Sequence, residues 1–105
     1  MIKLTVIPRD DASIFNLLIS KEVALRKSKK GTLHRSGAKK PGTQKWRHSS
    51  YPGWITLQRC IGGTLAAVVQ ATDPNEEWQL LRSLIGFLDR HFRDRIGSVT
   101  ICYDR

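Results

Sequence analysis

Arg26, Lys27, Lys29, Lys30, Arg35, Lys39, Lys40, Lys45 and Arg47 fall close together in the chain, with Trp46 and His48 among the last of them. Ammonium and guanidinium groups in such a run neutralise phosphates and release their counterions. A flat indole can stack on an unpaired base, and a neutral imidazole can donate to a phosphate. The chemistry within reach of this set is therefore contact with RNA, DNA or another polyanion, with Trp46 as the stacking platform. An acidic protein surface is a partner of the same electrostatic kind.

The charge distribution sharpens that reading. The chain of 105 residues carries a formal net charge of +9. The stretch from Lys21 to His48 holds ten Lys and Arg against one acid, Glu22, and the remainder holds eight of each sign. All of the excess belongs to one segment, and a localised field draws polyanions toward it.

Catalysis finds little support. His34, His48 and His91 stand with Cys60 and Cys102 at spacings that match no zinc motif, and no nucleophile is spaced with a base. There is no P-loop, dinucleotide fingerprint, G-x-S-x-G or H-E-x-x-H. The expectation is a non-enzymatic binding protein with no cofactor and no metal. A protein-interaction or structural module that covers its open sheet face or an edge strand with a second copy, as a homodimer, is the alternative. A small-ligand binder or enzyme would need a deep pocket placing His48 or His91 beside a carboxylate or thiol.

These residues need elements to hold them. Asp73–Phe92 reads as one amphipathic helix: Asp73 suits the N-cap, Pro74 suits N1, and Glu76 completes a capping box. Trp78, Leu81, Leu84, Ile85, Leu88 and Phe92 share a face that Leu80, Phe87 and His91 widen. Gln79, Arg82, Ser83, Gly86, Asp89, Arg90 and Arg93 take the other half, with Asp89 and Arg93 spaced to pair. Such a helix covers a sheet.

Ile2–Ile7 alternates as a half-buried strand. Asp10 or Asp11 can cap a first helix over residues 12–20, fraying toward Leu25, since Glu22 interrupts its apolar face. Segment 21–45 has two open readings. One is a mobile loop; the other is a basic hairpin of Val23–Lys27 and Thr32–Arg35 around a turn at 28–31. Tyr51-Pro52-Gly53 marks a bend. Residues 54–60 and 64–71 read as strands joined at Gly62-Gly63, the second apolar on both faces and so central. Ser98–Tyr103 gives a last strand.

The resulting order, β-α-β-β-α-β, predicts an α+β fold. It would be a two-layer ferredoxin-like sandwich, an antiparallel sheet with both helices on one face. The chain would be a single domain over 1–105, with 21–45 a basic insertion between the first helix and the second strand. Cys60 and Cys102 in apolar strand contexts read as buried reduced thiols of a cytoplasmic protein. No apolar run is long enough to cross a membrane, so no membrane partner is expected.

Overall fold

A computed structural model describes residues Met1–Asp104. The chain runs β1 (Ile2–Pro8), α1 (Ile14–Lys27), β2 (Leu33–Arg35), β3 (Thr43–His48), β4 (Trp54–Arg59), β5 (Leu65–Gln70), α2 (Pro74–Phe92) and β6 (Ile96–Tyr103). The strands form one antiparallel sheet in the order β2-β3-β4-β5-β1-β6. The fold is therefore α+β, as expected. The expected four-stranded ferredoxin-like sheet is not what forms, because residues 33–48 add two strands beyond β4.

Period-2 patterning sets the inside of the sheet. Ile2, Leu4 and Val6 of β1 are buried, as are Ile55 and Leu57 of β4 and Leu65, Ala67 and Val69 of β5. They join Ile14, Phe15 and Leu18 of α1 and Leu80, Leu81, Leu84, Phe87, Leu88 and Phe92 of α2 in one continuous core. Both helices thus cover the same face, and the other face is open. β5 alternates between buried and half-buried positions, with Ala66 and Val68 on the open side.

Helix ends depart from expectation in instructive ways. Ser13, not Asp10 or Asp11, caps α1 by accepting from the Asn16 N–H at 3.3 Å. Asp10 instead accepts from the Ala12 N–H and lies 3.2 Å from the Arg95 guanidinium. Helix α1 continues to Lys27, so Val23–Lys27 is helical rather than a strand. Glu22 does not interrupt it. Its carboxylate is 1% exposed, yet Oε2 lies 3.0 Å from His34 Nδ1 and 3.5 Å from Arg26 Nε. A buried acid tolerates an apolar face when partners satisfy it. Its Oε1 has no partner.

At the start of α2, Asp73 accepts from the Asn75 N–H at 2.7 Å, and Pro74 sits in the first turn. Arg93 makes a bidentate pair with Asp89 at 2.9 and 2.7 Å, as its spacing predicts.

The last strand is the exception to burial. Val99, Ile101 and Tyr103 point to the helix side but lie beyond the cover of α2, and remain 39%, 37% and 58% exposed. Trp78 and Ile85, the edge of the helix's apolar arc, are exposed and half-buried above them. Neither cysteine is buried as expected: Cys60 is intermediate and Cys102 exposed, both as free thiols. No helix among the described residues is long and apolar enough to cross a membrane.

Candidate polyanion-binding surface

The basic segment divides among three places. Arg26 and Lys27 occupy the last turn of α1, where cations suit the helix dipole. Lys29 and Lys30 form its C-terminal cap: the Lys29 N–H donates to the Arg26 carbonyl at 3.0 Å and the Lys30 N–H to the Leu25 carbonyl at 2.8 Å. That pair of bonds is a Schellman motif, with Lys29 at the left-handed position, φ 57°. Arg35, Lys39, Lys40, Lys45 and Arg47 belong to the β2–β3 hairpin and its connection. A hairpin therefore exists: its first strand lies within the expected Thr32–Arg35, but its partner is Thr43–His48 rather than Val23–Lys27, with the turn near 36–42 rather than 28–31.

Register decides which of these face the open side. Leu33 pairs with His48, and Trp46 pairs with Ile55. Ile55 belongs to the core, so Gln44 and Trp46 of β3 turn inward while Lys45 and Arg47 turn outward. Trp46 is fully buried, its Nε1–H donating to Gln44 Oε1 at 2.7 Å and its ring meeting Phe87 edge-on at 5.2 Å between centroids. The indole expected to stack on bases is instead an anchor of the hairpin to α2. Burying it contributes about 4–6 kcal/mol on an area basis.

Trp54 takes the outward place. Its Nε1–H donates to Gln70 Oε1 at 3.0 Å, which fixes the ring over β5. Lys45 Nζ lies 4.9 Å and Arg47 Cζ 5.8 Å from its centroid. Gly53, at φ 94°, lets the chain enter β4 there; a Cβ at this position would collide with the Gln70 carbonyl oxygen. With both cations over it, this ring offers a base a stacking surface as they swing off it onto a phosphate.

His48 has a structural duty. Its Nδ1 accepts from the Ser50 and Tyr51 N–H groups at 2.9 and 3.3 Å, and its ring lies 4.4 Å from that of Tyr51. Burial pushes its pKa below the ordinary value. Nδ1 is thus committed to the β3–β4 bend. Among the described residues, Arg26 alone of the nine predicted cations makes an ion pair, with Glu22. The other eight are neutralised by no carboxylate among the described residues.

The structure also brings in cations that sequence reasoning left on a solvated helix face. Arg82 and Arg90 of α2 line the same cleft as Lys30. Their spacing along the polar half of α2 was visible, but which element would face that half was not. Among the described residues no group of three or more His, Cys, Asp and Glu could hold a metal ion. Comparison with models of known families, with curated proteins and with solved structures finds no match.

Proposed function

We propose that the protein binds single-stranded nucleic acid, or a polyanion of similar charge spacing, along the β2–β3 edge and the adjoining open face. Lys39, Lys40, Lys45 and Arg47 take phosphates, and Trp54 takes the role first assigned to Trp46. The observation that supports this most is the Lys45–Trp54–Arg47 cluster, with Trp54 half-buried and held by a hydrogen bond and both cations exposed. In the same reading, β4-β5-β1-β6 with the two helices is the ferredoxin-like unit, and the hairpin is an extension of it that carries the charge. No catalytic step enters. The test is fluorescence anisotropy of a labelled oligonucleotide against salt. Affinity should fall steeply with salt, and the pair Lys45→Ala and Arg47→Ala should lower the log–log slope by about 1–2. Absence of binding at low salt would reject the reading, and an unchanged slope in the double variant would move the site elsewhere.

The far edge favours a second reading, self-association through β6. The Asp104 N–H donates to the Met1 carbonyl at 3.0 Å, and the Met1 amino group approaches the Asp104 carbonyl at 3.5 Å. Alternation along the ladder then turns the backbone groups of Val99, Ile101 and Tyr103 outward, with no partner strand. The side chains of the same three residues form the exposed apolar stripe. A second copy, antiparallel about a two-fold axis, meets both needs with one register parity. The hairpin cations stand four to five strand spacings away, roughly 19–24 Å, so they do not oppose the contact at physiological salt. Sedimentation showing a monomer throughout the micromolar range would remove this reading.

A further inference from the structure

A cleft of about 490 Å³ separates the outer side of α2 from the connection between α1 and β2. It lies on the helix side of the sheet, away from Lys45 and Trp54. Its α2 wall presents Arg82, Gly86 and Arg90, spaced four apart and so on one side of the helix. At 1.5 Å of rise per residue, Gly86 stands roughly 6 Å from each arginine's Cα along the axis. Two guanidinium groups can therefore converge above the one position between them that has no side chain. A Cβ built on Gly86 meets nothing within 4 Å. Packing does not require glycine there, and glycine in a helix interior costs roughly 0.5–1 kcal/mol relative to alanine. The notch opens into the cleft.

The facing wall is as well defined. The Schellman motif that ends α1 fixes the backbone of Lys30, and Lys30 lines the cleft opposite α2. His91 and Tyr51 complete it. Of its lining residues none is acidic, and among the described residues Lys30, Arg82 and Arg90 make no ion pair. His91 is held below its ordinary pKa by burial and then by Lys21 and Arg90, which marks a positive local field. The volume falls among those of small-ligand sites, roughly 300–1,000 Å³.

We propose that this cleft binds the phosphate of a phosphomonoester, seated over Gly86 between Arg82 and Arg90 with Lys30 opposite. A phosphomonoester is close to a dianion at neutral pH and offers three terminal oxygens, which suits cations converging from three sides. Guanidinium groups bind it as bidentate forks. Tyr51 and the cleft floor receive whatever the phosphate is attached to. Two sources share this chemistry, a free phosphorylated small molecule and the 5′ end of a nucleic-acid strand. The proposal goes beyond the binding surface at the hairpin and uses none of the residues placed there.

The test is titration of the full chain with adenosine 5′-monophosphate against adenosine, and with a 5′-phosphorylated oligonucleotide against its 5′-hydroxyl form. The phosphorylated member of at least one pair should bind about tenfold tighter or more, the scale of one or two charge-assisted hydrogen bonds. Arg82→Ala, Arg90→Ala and Gly86→Glu should each remove most of that preference. Gly86→Ala is the folding control, expected to raise Tm. Preference within the mononucleotide pair identifies a small-molecule site, and preference within the oligonucleotide pair alone identifies a strand end. Equal affinity within both pairs overturns the proposal, as does a preference that survives all three cleft variants. Lys45→Ala with Arg47→Ala should leave the preference intact, so failure here and failure at the hairpin read separately.

Discussion

The two edges of this sheet solve the same problem in opposite ways. Any edge strand presents unpaired N–H and C=O groups that invite another chain. At one end, β2 is three residues long and its hairpin is lined by unpaired cations. A short, charged edge discourages pairing and attracts polyanions. At the other end, β6 is eight residues long and uncharged from Ile96 to Tyr103. Its apolar side chains reach past the cover of α2. One edge is defended by charge and the other is not, so the two should respond to different perturbations.

The largest effect should come from charging the bare edge. Ile101→Lys would place an ammonium group in the seam of the proposed β6 contact, and the self-association expected of the native chain by sedimentation should weaken at least about 100-fold. The monomer's urea midpoint should barely move, because Ile101 is already partly exposed. Next, His34→Leu deprives the buried Glu22 carboxylate of its closest partner. We expect about 2–3 kcal/mol of lost stability by urea unfolding. Amide exchange should quicken in β2 and leave β6 unchanged; equal quickening at both edges would refute their independence. In the favourable direction, Lys29→Gly relieves the left-handed φ of the helix cap and should stabilise the protein by about 0.5–1 kcal/mol.

The smallest effect is one of pH. His48 and His91 both have folded pKa values below their ordinary 6.5. As pH falls below 6.5, the unfolded chain takes up protons that the folded chain resists, so stability is present above that pH and lost below it. Near the start of β6 the perturbed group is Asp10, lowered from 3.8 by the Ala12 N–H and Arg95. Its contribution is lost only as pH falls below about 3.8. Two-dimensional NMR across pH 7 to 3 should show the β3–β4 bend and the α2 end responding first.

Much of the frame was legible because it rests on local patterns. The alternation of Ile2, Leu4 and Val6, and the 3.6-residue repeat from Leu80 to Phe92, predicted β1 and α2 with near-correct bounds. What failed depended on distant partners. Glu22 looked like a break in α1 because His34, which satisfies it, comes twelve residues later and meets it only through the turn at Gly31. Residues 43–48 were not read as a strand, since Gln44 and Lys45 lack strand propensity and segment 21–45 kept two readings. Their place is set by pairing with β4 and by Trp46 reaching Phe87. The charged segment was legible as a stretch of chain. Which indole faced solvent was not, since Trp46 and Trp54 are told apart only by register, and a slip of one residue exchanges the faces.

Sheets twist by roughly 20–25° from strand to strand, always in the same sense. Across the five steps from β2 to β6 that rotation accumulates to roughly 100–125°, so the first and last strands run nearly crosswise. A polymer lying along the hairpin therefore travels across, not beside, the axis of any contact made at β6. Occupying one rim leaves the other unobstructed, and a pair joined at β6 would carry its two charged rims outward on opposite flanks.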